Sequence, residues 1–405
     1  MNAAPHASFQ PGRRGLLLGL GASFAVGRAR LAFGQAPGDR RLVVILLRGA
    51  VDGLFVVQPY GDAALAGLRG PLALPEPGQA DGLLDLGGHF GLHPGFANLH
   101  AMFAAHEALV LHAMAGPYRS RSHFEAQDLL EGGTGQRLAS GWLNRALEAM
   151  PHGQSSPRTG PARTGLAIGT GVPLLLRGAV PVGAYAPPGL QHPPEELLHR
   201  LAALQSQDQR TGPVFEEGLR ARGFATQTLG APTADRERGS FPALAAAAGR
   251  LLAETDGPRV AALELGGWDT HVQQAGRILG PIRALDAGLG RLRDSLGAEW
   301  TRTAVLVVTE FGRTARVNGN LGTDHGTGGI ALLAGGAVQG GRVIADWPGL
   351  AEGQLFENRD LQATQDLRSI AKGLLRDHLR LPEAAVAQAF PGSADAPAMS
   401  GLIRA

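Results

Sequence analysis

Val305-Leu-Val-Val-Thr-Glu-Phe-Gly-Arg-Thr314, continued through residues 315–322 to Thr323-Asp-His-Gly-Thr-Gly-Gly329, is the stretch that decides the fold class. Residues 305–308 form an uninterrupted apolar, β-branched run, the pattern of a strand buried on both faces. The run stops at Thr309-Glu310. Beyond it come a carboxylate (Glu310), two arginines (Arg313 and Arg316) and an Asp-His pair (Asp324-His325) in a glycine-rich loop. Ligands of open α/β sheets bind outside the carboxyl ends of the strands, so these groups mark a candidate metal or catalytic site.

Similar runs recur along the chain. Leu42-Val-Val-Ile-Leu-Leu47 reads as the first buried strand and hands over to Asp52. Leu109-Val-Leu111 precedes Ser120-Arg121-Ser122, which opens a helix running to about Glu131. Residues 259–265 form a third strand, followed by Asp269 and His271. Next, Ile278, Ile282, Leu285, Leu289, Leu292 and Leu296 repeat at spacings of four and three, the apolar face of a long helix. Residues 244–254 and 360–379 are also helical in pattern, and residues 174–176 and 179–182 resemble short strands of a peripheral sheet. Strands alternating with helices predict an α/β, doubly wound, mainly parallel sheet with helices on both faces.

Parallel strands bring their carboxyl ends to one side, so Asp52, Asp269, His271, Glu310, Asp324 and His325 could converge. Carboxylates with imidazoles are the donor inventory for one or two divalent cations: Zn²⁺, or alternatively Mn²⁺, Mg²⁺ or Ca²⁺. Ordinary roles compete. Asp52-Gly53 is also a turn pair, Ser122 with Glu125 spells a capping box, and Asp269 could cap the long helix. His112 and His123 lie close enough in sequence to stay weak candidates, whereas His89, His93, His100 and His106 read as helix and loop residues.

Composition excludes several classes. The 405 residues are 44% hydrophobic with formal net charge +2, and Lys372 is the one lysine, so the arginines reflect a bias, not a nucleic-acid surface. With no cysteine, thiolate ligands and disulfides are ruled out. Arg13-Arg14 before the modest apolar residues 15–26, and then Gly34-Gln35-Ala36, reads as a twin-arginine export signal over residues 1–36. Later apolar runs are too short to anchor the chain in a membrane. The expectation is therefore a periplasmic or secreted protein exported folded through the twin-arginine translocase. Residues 41–404 would form one domain, with 151–250 a peripheral insertion.

An ordered series of motifs then resembles the DUF1501 family across the whole mature chain. They are Leu47-Arg-Gly-Ala-Val-Asp-Gly-Leu54, Tyr118-Arg-Ser-Arg-Ser-His-Phe-Glu-Ala-Gln-Asp128, Gly141-Trp-Leu-Asn-Arg145, Gly267-Trp-Asp-Thr-His271, Thr309-Glu-Phe-Gly-Arg-Thr314 and Gly322-Thr-Asp-His-Gly326. Gly340-Gly-Arg-Val343 and Asp346-Trp-Pro348 fit as well. The family is similar to the alkaline phosphatase–sulfatase superfamily, which implies an alkaline-phosphatase-like fold with metals at the strand ends. It also implies hydrolysis of a small-molecule or polymeric phosphate or sulfate ester, by a serine nucleophile or a metal-bound water. Ser122 or Ser120 falls where the nucleophile would be, and Arg121 or Arg313 would clamp the oxyanion. Asp52 resembles the first-strand ligand, Asp269, His271 and His325 resemble one metal site, and Glu310 falls at the second. Three departures stand out. Asp269 and His271 are two residues apart, where four is usual. Phe311 stands where the second site has histidine. The lack of cysteine excludes a cysteine-derived formylglycine. The alternative implied by Phe311 is a binding or scaffolding protein on the same fold.

Overall fold

A computed structural model describes residues 39–150, 165–185, 239–255 and 257–404. The export signal over 1–36 lies outside the described residues, as do residues 151–164, whose Gly, Pro and Ser predict a loop, and residues 194–205, whose pattern predicts a helix.

In chain order the strands are β1 (Arg41–Leu47), β2 (Val57–Gln58), β3 (Leu84–Asp85), β4 (Gly91–Leu92), β5 (Ala108–Ala115), β6 (Gly165–Ile168), β7 (Gly183–Tyr185), β8 (Val260–Leu265), β9 (Thr303–Thr309), β10 (Gly329–Ala334), β11 (Arg342–Ile344) and β12 (Gln365–Asp366). The helices that matter below are α1 (Ala97–Ala104), α2 (His123–Gly132), α3 (Trp142–Leu147), α4 (Phe241–Ala253), α5 (Leu279–Leu296), α6 (Leu367–Gly373) and α7 (Glu383–Ala389). The main sheet runs β11-β5-β10-β9-β1-β8-β6-β7, with β12 also on β5, while β2, β4 and β3 make a small antiparallel sheet. Among the described residues only β10 runs against its neighbours, β5 and β9; the other pairings of the main sheet are parallel. The mainly parallel, two-sided α/β expectation is therefore met.

The apolar runs are continuous because both faces of each strand are covered. From β1, Val43, Ile45 and Leu47 join one core with Ile282, Leu285 and Leu289 of α5 and Phe241 of α4. The intervening Leu42, Val44 and Leu46 join the other, with Trp142 and Leu143 of α3, Ile370 of α6 and Val386 of α7. This two-residue alternation places helices on both sides.

Register aligns the strand ends. Leu47 stands opposite Leu265 on one side and Thr309 on the other. Whatever follows these three residues therefore emerges at one level. That is where the chemistry collects.

Some sequence expectations are corrected. Residues 174–176 are a 3₁₀ turn, not a strand: Leu176 N–H and Arg177 N–H close on Pro173 and Leu174 carbonyls. Residues 179–182 are irregular, and the strand of that region is β7. The helix expected from Asp360 begins at Leu367, where Asp366 accepts from Arg368 N–H at 2.8 Å. Of the described residues within 151–250, β6 pairs with β8, and Phe241, Ala245 and Ala248 of α4 pack into the core.

Two buried histidines give the fold an acid sensitivity. His112 donates through Nε2 to the Val57 carbonyl and accepts Ala113 N–H at Nδ1, 2.8 Å away. His378 donates to the Arg41 carbonyl, and its Nδ1 is buried without a hydrogen-bond partner. Burial pulls both from the ordinary 6.5 to about 4. Above pH 6.5 both states are neutral. From there down to about 4 the unfolded chain binds protons that the folded chain refuses, so stability falls as pH falls, by roughly 3 kcal/mol for each histidine. Urea unfolding from neutral pH down to about pH 4.5 should show this slope, and His112→Gln should make it shallower. Unfolding midpoints that do not change over that window would contradict the assignment.

Candidate metal centre

The carboxyl end of β1 turns through Gly49, whose φ is +116°. A Cβ there would lie 2.6 Å from Asp269 N, so only glycine lets the β1 and β8 loops touch. At Gly322 a Cβ would lie 2.3 Å from the His271 carbonyl carbon, which brings the Asp324-His325 loop against the β8 loop. The β9 loop then folds back on itself: Gly326 N–H donates to Gly312 O at 2.8 Å and Thr314 N–H to Asp324 O at 2.9 Å, placing His325 across from Arg313.

Three imidazoles meet at this junction. His325 Nε2 lies 3.0 Å from His123 Nε2, 3.0 Å from His271 Nε2 and 3.2 Å from Asp269 Oδ1. Asp269 Oδ1 is also 3.0 Å from His271 Nε2 and 3.6 Å from His123 Nε2. The opposite ring nitrogen of each histidine faces an acceptor. His123 Nδ1 donates to Glu310 Oε1 at 2.7 Å, His271 Nδ1 to Asp324 Oδ1 at 3.1 Å, and His325 Nδ1 to the Arg121 carbonyl at 3.0 Å. These acceptors place the proton of each neutral ring on Nδ1 and leave the Nε2 lone pair pointing inward. Apart from Arg313, whose guanidinium donates to Asp269 Oδ1 and lies 3.5 Å from His271 Nε2, no hydrogen stands between the three lone pairs and the carboxylate oxygen, and the nitrogens repel one another. A cation between them removes the conflict.

The spacing suits one. A tetrahedral ion with bonds of about 2.0–2.2 Å holds its ligand atoms roughly 3.3–3.6 Å apart. Among the described residues, His123, Asp269 and His325 bring one ligand atom each within 4.8 Å of one another, and His271 Nε2 lies 3.0 Å from two of those atoms, Asp269 Oδ1 and His325 Nε2. The donor set fits a single divalent ion.

Charge supports the same arrangement. Burial raises the Asp269 carboxyl, but the Arg313 guanidinium, His271 and His325 overcome it and hold it below the usual range. Burial also opposes ionisation of Glu310, and donors from His123, Gln127 and Gly49 outweigh it, bringing Glu310 down to about 2. The Glu310 contact raises His123, and burial lowers His325.

The expected site residues therefore divide by role. Asp269, His271 and His325 converge, and residues 269–271 lie in a loop before α5, which lets two residues in close succession face one point. Glu310 and Asp324 do not point at that convergence. They hold the outer nitrogens of His123 and His271 instead. Asp52 is not brought to the histidines: buried, it pairs with Arg69 and accepts from Gln274 Nε2 at 2.6 Å. Gln274 in turn accepts from Thr270 at 3.0 Å and Thr323 at 2.6 Å, so Asp52 anchors a clamp on both ligand loops. Phe311 packs on the His123 and His325 rings, with centroids 4.9 and 5.1 Å away.

Neither arginine is free as an oxyanion clamp. Arg121 pairs with Glu357 and Asp360. Arg313 is buried and donates to the carbonyls of Ala50, Gly49, Trp268 and Thr323 as well as to Asp269. Ser122 precedes α2 but its hydroxyl caps nothing, and Glu125 accepts instead from the Tyr118 hydroxyl at 2.7 Å, so the capping box does not form. Ser120 is exposed. His123 is the residue underrated from sequence. Its signal was the helix face it shares with Gln127, four residues on, which donates to the same Glu310 oxygen at 3.0 Å. His112, the other weak candidate, is a core histidine stacked on Phe90.

No curated protein matches the sequence. Among solved structures, the chain is similar to a protein in the alkaline phosphatase superfamily from Vibrio parahaemolyticus (13% identity over 76% of this chain and 62% of that one, TM-score 0.34). It is also similar to the phosphonate monoester hydrolase of Agrobacterium radiobacter (13%, 85% and 74%, TM-score 0.34) and to a sulfatase from Pseudoalteromonas sp. (13%, 80% and 67%, TM-score 0.34). The chain thus spans less than two thirds of the Vibrio protein's length. Residues 78–390 match the family described as "Protein of unknown function (DUF1501)", and with most of its length inside that match the chain belongs to the DUF1501 family.

Proposed function

We propose that this protein is an exported, metal-dependent hydrolase of phosphate or sulfate esters that works with a single ion. The observation that carries the reading is the convergence of three Nε2 lone pairs and Asp269 Oδ1, with every Nδ1 tied to its own acceptor. His123, His271, His325 and Asp269 would hold the ion, and three nitrogens to one oxygen favour Zn²⁺ over Mg²⁺ or Ca²⁺, which take oxygen ligands. Bound there, the ion supplies a Lewis acid for the ester's anionic oxygens. Glu310, Asp324 and the Arg121 carbonyl keep the rings oriented, and Arg313 offsets the Asp269 charge.

We assign the nucleophile to Ser122 in preference to Ser120. Ser122 is half-buried, adjoins the ligand His123 and has a hydroxyl that no helix amide engages. Attack would form an Oγ–phosphorus or Oγ–sulfur bond as the ester oxygen leaves with the serine's proton, and water would then release the acid and restore the serine. The proposed extracytoplasmic address rests on Arg13-Arg14 and the small residues after it. No helix among the described residues is long and apolar enough to cross a membrane.

Metal analysis of the purified protein should find close to one zinc per chain. Chelation should abolish turnover of nitrophenyl phosphate or sulfate, and Ser122→Ala should lower kcat by roughly a hundredfold or more. A protein with neither bound ion nor ester turnover would overturn the reading. Loading with metal but no turnover on a broad ester panel is the signature of the second reading, a binding or scaffolding protein, which the apolar Phe311 beside Glu310 favours.

A further inference from the structure

We infer that Tyr118 is a positioning residue that keeps the Ser122 hydroxyl free to react, by taking over the capping contacts that this serine would otherwise make; this rests on the reading of Ser122 as nucleophile above. Ser122-His-Phe-Glu125 spells a capping box. In such a box the serine hydroxyl accepts from the N–H three residues on, and the glutamate accepts in return from the serine's own N–H. The backbone is ready for it, since Ser122 has φ −101° and ψ 120°, the extended geometry of an N-cap residue. Even so, neither bond forms. The Tyr118 hydroxyl stands between the partners, donating to Glu125 Oε2 at 2.7 Å and accepting from Ser122 N–H at 3.2 Å. Carboxylate and amide are each satisfied through the phenol.

The two bonds of a capping box support each other. A third group that takes both the glutamate and the serine's amide removes the return bond, and the hydroxyl loses the geometry that would fix it on the helix. It makes no hydrogen bond to an α2 amide. This matters chemically. A capping serine has its oxygen turned onto the first-turn amides with a lone pair committed there, whereas a nucleophile must turn that oxygen to the ester. The phenol is itself well placed for the task. Gly116-Pro117 lead out of β5 into Tyr118, whose ring packs against Ala50, Ala126 and Phe311. These belong to the loop after β1, to α2 and to the loop after β9, so the ring is anchored where the ligand loops meet. Phenylalanine at 118 would keep that packing and remove only the oxygen.

The test is a double-mutant cycle on stability, read by urea unfolding of the full-length protein with Tyr118→Phe, Ser122→Ala and both together. In the parent, Ser122→Ala should leave the unfolding midpoint unchanged, because the hydroxyl caps nothing. In the Tyr118→Phe background the box can close, so the same substitution should lower the folding equilibrium constant about fivefold, the usual loss of a serine cap. A Tyr118 with only a structural role would make Ser122→Ala cost the same in both backgrounds. Kinetics of the metal-loaded protein on a nitrophenyl ester read the functional half. Tyr118→Phe should lower kcat by about fivefold at unchanged KM and unchanged zinc affinity, since only the fraction of enzyme with a free hydroxyl reacts. A Ser122→Ala cost already present in the parent, or absent from both backgrounds, overturns the inference, as does a parent-like kcat in Tyr118→Phe. Absence of turnover by the parent overturns the hydrolase reading instead. The cycle needs no turnover and still decides whether Tyr118 holds the hydroxyl free.

Discussion

His325→Ala is expected to empty the metal centre. His325 Nε2 is the hub of the cluster, 3.0 Å from each of the other two histidine nitrogens and 3.2 Å from Asp269 Oδ1. Alanine removes the central donor and leaves His123 and His271 joined only through Asp269. Outer partners of ligating histidines are worth about 10–100-fold in metal affinity, so loss of a direct ligand should exceed a hundredfold. Dialysed variant and parent, compared by elemental analysis and by competition with a chromophoric chelator, measure this directly. The fold should survive, since His325 lies in a half-buried loop outside both cores. Parent-like metal content in a folded His325→Ala protein would exclude the arrangement described here. A matched Asp52→Asn variant should keep the ion with weaker affinity, because Asp52 acts through Gln274 and does not face the histidines.

Arg313→Met should cost roughly 3–5 kcal/mol of stability, the range seen when one member of a buried charged network is removed. The side chain is buried and holds four carbonyls and Asp269 together. Methionine fills similar space but takes the donor from the carbonyls of Gly49, Ala50 and Thr323, and each orphaned buried acceptor costs about 1–3 kcal/mol. Arg313→Lys should recover only part, because an ammonium cannot reproduce the planar fork. Chemical denaturation of the metal-free proteins measures the difference without interference from the ion. Near-parent stability for the methionine variant would mean that the loops close without this tie.

The architecture could be read from β1, β5, β8 and β9 because strands covered on both faces appear as unbroken apolar runs. Parallel direction then implied that the groups after Leu47, Leu265 and Thr309 meet, as the register confirms. Role assignment was less accessible. Glu310 and Asp324 have the same donor chemistry as Asp269, and only the direction each carboxylate faces separates a ligand from an acceptor for Nδ1. The buried Asp52–Arg69 pair depends on a residue with no apparent link to a turn carboxylate. His123 was obscured by its position in the first turn of a helix, where a polar residue is unremarkable. The run 174–176 is too short for any period to distinguish a strand from a turn.

Of the three acceptors that orient the histidines, one belongs to the main chain. Arg121 sits at φ +62°, and its carbonyl receives the His325 proton while its side chain turns away to Glu357 and Asp360. Substitution can delete the carboxylate of Glu310 or Asp324, but every amino acid brings a carbonyl to position 121. The hub histidine is therefore insulated from point mutation at its own support. Insertion or deletion between β5 and α2 is a different kind of change, for it displaces the carbonyl itself. Lineages carrying this site should accordingly vary in side chain at position 121 while keeping the length of that connection.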